Sequence, residues 1–215
     1  MLKKRLQKSN SFLIVRFLGL HLDPSLKWDC HVDSVAGRLG RALFVLRSLA
    51  DCVSANTLRT AYHALFHSVM TYAVLAWGHA AQSGRVFGLQ RRAVRILAKL
   101  GFRDDCKQSY RDLAILTFPS HYILENLMYV KMNEDMYRVH REVHSYGTRQ
   151  RDMLVPAYCR LKRCQNGPGY LAIKFYNKLP STIKSLPVYA FKAAVRKILL
   201  DNAFYSNEEF LIHSF

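Results

Sequence analysis

Six basic side chains lie within residues 85–103, a segment that contains no acidic residue. Guanidinium and ammonium groups bind phosphate oxygens through charge-assisted hydrogen bonds, and a polyanion requires such groups on one contiguous surface. A nucleic-acid contact is therefore one interpretation of this segment. The alternative is an ordinary solvated basic face, which is what most charge runs on helices are. The predicted contact residues are Arg85, Arg91, Arg92, Arg95, Lys99 and Arg103.

The whole chain is strongly basic, with 32 Lys and Arg against 15 Asp and Glu and a formal net charge of +17. This balance favours a polyanionic partner, of which nucleic acid is the first candidate. Two other regions concentrate the charge. One is an N-terminal cluster of Lys3, Lys4, Arg5 and Lys8; the other is residues 153–200, with nine Lys or Arg and no acid.

Histidine and cysteine side chains offer a possible metal site. His140 and His144 precede Cys159 and Cys164, and two imidazoles with two thiolates suit tetrahedral zinc. Their order is reversed relative to common zinc fingers, so unrelated thiols and histidines are the preferred interpretation. The five cysteines form an odd set without a framework, which favours reduced thiols in an intracellular compartment. We expect no metal and no cofactor for the chain itself.

Composition sets the class of protein. Half of the 215 residues are hydrophobic and 22% are charged, which predicts a globular chain with a packed core. The longest apolar stretch, residues 61–77, is interrupted by histidines and is shorter than the roughly 20 residues that a membrane span needs. We expect a buried helix there and no membrane partner. No nucleophile elbow, metalloprotease motif or phosphate-binding loop is present, so we predict no catalytic residues.

Hydrophobic spacing predicts the elements that position these side chains. Residues 12–23 have the composition of a strand or strand pair, with Gly19 at a bulge or close approach. Helical spacing of apolar residues predicts helices over about 29–51, 55–76 and 84–100, and Ser54 is placed to cap the second. The helix over 55–76 is apolar on several faces and is expected to be the most buried. The last has Val86, Leu89, Ala93, Ile96 and Leu100 on its apolar side.

The second half of the chain is less regular. Short helices are predicted near 106–114 and from about 120 to 133, and a final helix over 190–202. Residues 144–189 are punctuated by Gly and Pro, which indicates irregular structure with short strands or turns. The predicted class is mainly α, with a short N-terminal β-strand pair, a helical bundle, and a mixed, partly irregular C-terminal region that ends in a helix.

Several short segments, in this order, carry a resemblance to a known family. They are Phe17-Leu18-Gly19-Leu20-His21-Leu22-Asp23, Leu26-Lys27-Trp28, Ala61-Tyr62, Leu65-Phe66-His67-Ser68, Tyr72 with Trp77-Gly78, Leu89-Gln90-Arg91-Arg92-Ala93-Val94-Arg95, Leu116-Thr117-Phe118-Pro119-Ser120, His144-Ser145-Tyr146-Gly147-Thr148-Arg149, Tyr176-Asn177-Lys178-Leu179-Pro180 and Phe204-Tyr205-Ser206-Asn207-Glu208-Glu209-Phe210. Together they resemble the C-terminal third of reverse transcriptases encoded by non-LTR retrotransposons. The resemblance covers nearly everything after residue 11.

The resemblance implies a domain organisation. Residues 1–23 would be a basic leader and the last strand pair of the palm, residues 24–133 a helical thumb-like domain, and residues 134–215 the C-terminal region of that family. A thumb grips the template–primer duplex, which implies RNA or DNA as partner, together with the missing palm and fingers of the parent polymerase. Nuclear localisation is expected by the same analogy.

The resemblance also implies that the chain alone is not an enzyme. The parent RNA-directed DNA polymerase would use Mg²⁺ held by palm carboxylates, one pair of them in a Phe-x-Asp-Asp hairpin. The sequence Phe102-Arg103-Asp104-Asp105 matches those letters, but it follows the Phe-Leu-Gly strand instead of preceding it. We interpret Asp104 or Asp105 as a cap for the next helix.

Two other functions remain open. One is a free-standing helical protein derived from such an element, which binds RNA or DNA or serves as an interaction factor. The other is a basic structural protein without a specific ligand, for which binding would be steeply salt-dependent and indifferent to the type of nucleic acid.

Overall fold

A computed structural model describes residues 14–143, 151–165 and 167–215. The N-terminal basic cluster, His144 and the segment His144–Arg149 lie outside the described residues. The architecture is mainly helical with one two-stranded antiparallel sheet near the N-terminus, which confirms the predicted fold class. The strands are β1 (Val15–Phe17) and β2 (Leu20–Leu22). The α-helices are α1 (Asp29–Leu49), α2 (Ala55–Ala61), α3 (Ser68–Thr71), α4 (Val74–Trp77), α5 (Ser83–Leu97), α6 (Lys107–Asp112), α7 (Phe118–Met132), α8 (His140–Val143), α9 (Lys162–Gln165), α10 (Pro168–Lys178), α11 (Ser181–Lys184), α12 (Val188–Asn202) and α13 (Asn207–Ile212).

The two strands form a tight hairpin. Val15 pairs with Leu22 and Phe17 with Leu20. Leu18 and Gly19 both have positive φ, at 46° and 82°, as a two-residue turn of the right twist for a hairpin requires. Gly19 therefore belongs to the turn and not to a bulge. The hydroxyl of Tyr72 donates to the Leu18 carbonyl at 2.7 Å and ties the turn to the helical body.

The helical region after Ser54 differs from the prediction of one helix over 55–76. Ser54 caps it as expected, accepting from the Thr57 amide at 3.3 Å. Helix α2 then continues into a π-helical turn (Tyr62–His67) and α3. The helix is interrupted at Ala73, where φ is 50°. The break turns the Tyr72 carbonyl toward Trp77, whose indole N–H donates to it at 2.9 Å. This local bond, together with the long-range bond from Tyr72 to Leu18, accompanies a break that the continuous apolar pattern does not show.

Helix α7 is the most buried helix, a role that the sequence assigned wrongly to residues 55–76. It contacts α4, α5, α10, α12 and α13. The Thr117 hydroxyl caps it by accepting from the Ser120 amide at 3.1 Å, so it begins slightly before the predicted residue 120. Because helices on every side pack against it, apolar residues surround α7 and its sequence shows no single hydrophobic stripe. Its buried residues are Phe118, Ser120, Tyr122, Ile123, Leu124, Asn126, Leu127, Met128 and Val130.

The C-terminal region is more helical than predicted. Residues 168–178 form α10, which packs on α7, whereas irregular structure was expected there. Pro168 lies at the first turn, where its missing N–H costs nothing, so a residue interpreted as a breaker begins the helix. Helix α12 confirms the helix predicted over 190–202, but its prediction as the final helix was wrong, because α13 follows it. Helices on both sides of residue 133 share one core, while the domain boundary there stays a prediction.

No helix within residues 14–143, 151–165 and 167–215 combines the length and the apolar character that crossing a bilayer demands.

Three histidine rings form a cluster where the π-helical turn meets α7. His63 and His67 have ring centroids 5.2 Å apart, and His67 lies 5.5 Å from His121. Burial is the first cause that lowers the pKa of His121, to about 4, followed by the charges of His67, Arg196 and Lys192. Burial also lowers the pKa of His67 to about 4. Near neutral pH both rings are uncharged, so the 3.9 Å approach of His121 to Glu125 is not an ion pair.

This cluster predicts acid sensitivity of the fold. The folded pKa values of about 4 lie below the ordinary value of 6.5, so the unfolded chain takes up protons first as the pH falls. Stability is full above about pH 6.5 and falls toward pH 4. For the buried His121 alone we expect a loss on the order of 2 kcal/mol. Urea unfolding at pH 7, 5.5 and 4.5 measures it, and His121→Gln should show a shallower decline. A wild-type curve that is flat over this range would contradict the assignment.

Gly78 sets how closely α4 approaches α7. A Cβ at Gly78 would lie 2.4 Å from Cδ2 of Tyr122, whereas a Cβ at Gly84 would meet no atom within 4 Å. We expect Gly78→Ala to lower the free energy of unfolding by about 1–3 kcal/mol through overpacking. Gly84→Ala is the matched control and should be neutral or slightly stabilising. Chemical denaturation compares them, and equal effects of the two substitutions would show that the contact is not restrictive.

Candidate nucleic-acid interface

A cleft of about 760 Å³ runs between α1 and α5. It is open on one side and combines four guanidinium groups with small residues and one aromatic ring. The lining residues are Asp33, Ala36, Gly37, Arg85, Gly88, Leu89, Arg91, Arg92, Arg95 and Phe102. Four of the six predicted contact residues are therefore brought together at one place.

Helical spacing explains why these arginines share the cleft. Positions 85, 88, 92 and 95 recur at intervals of three and four residues, so they lie on one face of α5. The opposite face is held in the core by Val86, Phe87, Gln90, Ala93 and Val94. Of the predicted apolar side, Val86 and Ala93 are fully buried, and Leu89, Ile96 and Leu100 are partly buried and pack against the core. The full burial of the polar Gln90 was not predicted.

Backbone forms part of the cleft floor. Gly37 of α1 and Gly88 of α5 both line it, and a Cβ at either position would meet no atom within 4 Å. Neither glycine is therefore required by packing, although each one costs a helix about 0.5–1 kcal/mol relative to Ala. Their effect is to leave room for another molecule to approach the helix backbone closely. Sequence reasoning missed the contribution of α1, for which Gly37 inside a strongly helical pattern was the available signal.

Most of the cleft cations have no carboxylate partner. Among the ion pairs of the described residues, only one involves a predicted contact residue, and it joins Arg85 to Asp33. Arg85 also donates to the side-chain oxygen of Gln82 at 3.0 Å. Nε of Arg95 donates to the Asp104 carbonyl at 2.8 Å. A neutral carbonyl partner orients the guanidinium and leaves its charge uncompensated.

The guanidinium groups of the two remaining cleft arginines lie over aromatic rings. Arg92 lies over Phe102, 5.7 Å from the ring centroid, and Arg91 lies over Phe87 at 5.2 Å. These contacts hold the cations by the ring quadrupole without neutralising them. Phe102 is 71% exposed, so its own face at the cleft edge is also accessible to a ligand.

Lys99 and Arg103 are not among the residues that line the cleft. Both are exposed in the loop after α5. Lys99 has φ of 54°, and the amide of Leu100 donates to the Arg95 carbonyl at 2.9 Å. This pattern ends α5 in a left-handed cap, so the chain turns away after Lys99. These two side chains can extend a basic surface past the end of α5, but they do not complete the cleft.

The pair Asp104 and Asp105 has structural partners. Oδ2 of Asp104 accepts from the Gly101 amide at 2.7 Å, and Oδ1 of Asp105 accepts from the Lys107 amide at 3.2 Å, at the start of α6. Both carboxylates therefore organise the turn between α5 and α6. Across the described ranges, no group of three or more His, Cys, Asp or Glu side chains is arranged to hold a metal ion.

No protein-family profile, curated protein or solved structure matches this chain. The candidate interface therefore rests on its own geometry: a cleft with a backbone floor, four arginines at one edge and an exposed ring.

Replacing cleft arginines with neutral side chains should change how strongly duplex binding depends on salt concentration. Each phosphate contact contributes about 0.9 to the slope of log K against log salt on B-DNA, so Arg92→Gln with Arg95→Gln should flatten it by up to about two units. Fluorescence anisotropy with a labelled duplex at several salt concentrations measures the slope. Arg59→Gln with Arg111→Gln removes the same charge from exposed sites outside the cleft and should keep the wild-type slope. An unchanged slope in the cleft variant would place the phosphate track elsewhere.

Proposed function

We propose that this chain binds a nucleic-acid duplex through the cleft between α1 and α5. One observation carries the proposal: three of the four cleft arginines have no carboxylate partner among the described residues, and they stand beside a floor of exposed helix backbone. Paired arginines would be structural, whereas uncompensated guanidinium groups at an open cleft suit a polyanion.

The chemistry of the cleft favours contact with phosphates over contact with bases. Guanidinium groups and exposed helix backbone can contact the sugar–phosphate strands of any duplex whose strand spacing matches the cleft. Such contacts carry no sequence information. RNA-containing duplexes are recognised largely through shape and backbone. We therefore expect tight, salt-dependent and sequence-indifferent binding of duplexes.

The resemblance to non-LTR retrotransposon reverse transcriptases supports a more specific role. In this proposal the cleft grips the template–primer duplex, and the palm and fingers of a parent RNA-directed DNA polymerase supply the carboxylates and Mg²⁺. The chain alone then binds without polymerising, and its place of action is the nucleus. Primer-extension assays with Mg²⁺ and nucleotides should give no product, while anisotropy shows binding of an RNA–DNA hybrid.

A free-standing nucleic-acid-binding protein derived from such an element is the second candidate. The attachment of the hairpin favours it, because Leu20 and Leu22 pack against the main core and Tyr72 fixes the turn. A strand pair anchored in this way does not need further strands for its position. Cooperative unfolding of a monomer would support this candidate, whereas a chain that aggregates through its open strand edge would support the fragment.

A carboxylate introduced on the cleft floor should block duplex binding without disturbing the fold. Gly37→Glu places an acid among the arginines, in space where no atom lies within 4 Å of the new Cβ. We expect at least a tenfold loss of duplex affinity, about 1.4 kcal/mol, from charge repulsion and occlusion. Gly40→Glu is the matched control, since Gly40 is equally unhindered on α1 but does not line the cleft.

The two glutamate variants carry the same net charge, so a global electrostatic effect would weaken binding equally in both. That result would contradict a role for the cleft. Thermal unfolding of both variants should match, because each replaces an unhindered helical glycine.

A further inference from the structure

A second cavity, of about 740 Å³, lies in the C-terminal region, away from the arginine cleft. It is bounded by the segment after the 3₁₀-helix Glu134–Met136, by residues 155–159, which belong to no helix or strand, and by the start of α10. Its lining is aromatic and apolar, with one charged side chain. The lining residues are Met136, Tyr137, Arg138, Val155, Pro156, Ala157, Tyr158, Cys159, Cys164, Gly167, Gly169, Tyr170 and Ile173.

Three tyrosine rings line this cavity, and one of them is highly exposed. Tyr158 is 85% exposed, and Tyr137 and Tyr170 are partly buried. An isolated exposed ring gains nothing from the core, whereas several rings at one concave site offer faces on which another flat group can stack. Nucleobases are such groups, and every base has a π face.

Cations accompany two of the rings. The guanidinium of Arg160 lies 5.8 Å from the Tyr158 ring centroid, and its Nε donates to the Tyr158 hydroxyl at 3.0 Å. Nζ of Lys174 lies 4.8 Å from the Tyr170 centroid. None of Arg138, Arg160 and Lys174 takes part in an ion pair of the described residues. Alternating rings and uncompensated cations are the combination used to bind single strands.

The charge around the cavity also favours an anionic ligand such as nucleic acid. The cavity lining contains no carboxylate, and residues 153–200 contain no acid at all. Glu134, which precedes the cavity wall, is engaged by Tyr176 and Lys131, and the exposed Asp135 is the nearest acid in sequence to Met136. An acidic ligand is therefore favoured over a basic or neutral one.

We propose that this cavity binds single-stranded nucleic acid, with unpaired bases stacking on Tyr158 and Tyr170 and the phosphates contacting Arg138, Arg160 and Lys174. A volume of 740 Å³ is in the range of pockets that enclose a small ligand. The bases of an intact duplex are stacked on each other and cannot enter it. The site is thus distinct from the duplex cleft and does not depend on it.

The first test measures affinity for a fluorescein-labelled single strand of about eight nucleotides, a length typical of such sites. Tyr158→Ala with Tyr170→Ala removes both stacking rings and should weaken binding by about 30-fold or more. Tyr189→Ala is the matched control, because Tyr189 is 88% exposed in the same acid-free region but does not line the cavity. Unchanged affinity in the double variant, or an equal loss in Tyr189→Ala, would overturn the proposal.

A comparison with modified strands tests the stacking itself. Abasic positions in the centre of the strand keep the phosphates and remove the bases. The wild-type protein should lose affinity for this strand, whereas the double variant should bind the intact and abasic strands equally. If both proteins lose affinity to the same degree, the bases are bound somewhere other than on these tyrosines, and the proposal fails. Tyr158→Ala alone guards against misfolding, since so exposed a ring contributes little to the core.

Thiol reactivity locates the bound strand independently of any substitution at the rings. Cys159 lines the cavity, while Cys30 and Cys52 are exposed elsewhere. The strand should slow alkylation of Cys159 by N-ethylmaleimide and leave Cys30 and Cys52 unaffected. If the strand changed the alkylation rate equally at all three thiols, or at none of them, binding in the cavity would be contradicted. Arg92→Gln with Arg95→Gln should retain single-strand binding, so failure of the duplex proposal and failure of this one give different results.

Discussion

One buried amide holds the centre of the structure together. Gln90 of α5 is 0% exposed; its Nε2 donates to the Leu116 carbonyl at 2.9 Å and the Tyr62 hydroxyl at 3.2 Å, and its Oε1 accepts from the Phe118 amide at 2.7 Å. It therefore joins α5 to the π-helical turn and to the first residue of α7. Each buried polar group left unpaired would cost about 1–3 kcal/mol, so this set of bonds specifies one rotation of α5. That rotation directs the arginines to the cleft and not into the core.

Regular periodicity made most of the helical bundle predictable. Helix α1 repeats Val32, Val35, Leu39, Leu43 and Leu46 on its buried side, and its bounds agree with the expectation to within a few residues. The break at Ala73 and the burial of Gln90 were not predictable in the same way. Gln90 bonds to residues distant in the chain, and local patterns contain no information on those partners. At the break, Tyr72 bonds both to the nearby Trp77 and to the distant Leu18, and only the second of these bonds lies beyond the reach of a local pattern.

In the C-terminal region, one local signal was misjudged, another was not used, and one feature had no local signal. Pro168 stands at the start of α10, so its fixed φ favours the helix that it was expected to prevent. Before α13, Ser206 accepts from the Glu209 amide at 3.1 Å, and Ser-x-x-Glu is a capping signal visible in the sequence. The clustering of Tyr137, Tyr158 and Tyr170 around one cavity had no such signal. It arises only when segments far apart in the chain fold together.

The glycine floor of the cleft has a mechanical consequence. Gly37 and Gly88 have no side chain that could adjust its rotamer, so the width of the cleft at these two positions follows the separation of α1 and α5. Helix α1 packs against α5, and Leu39 of α1 and Ala93 of α5 are among their fully buried residues. A change of side-chain volume at those positions would therefore alter the width of the cleft from inside the protein. The distance between the arginine side chains and the helix backbone thus depends on core residues that do not line the cleft.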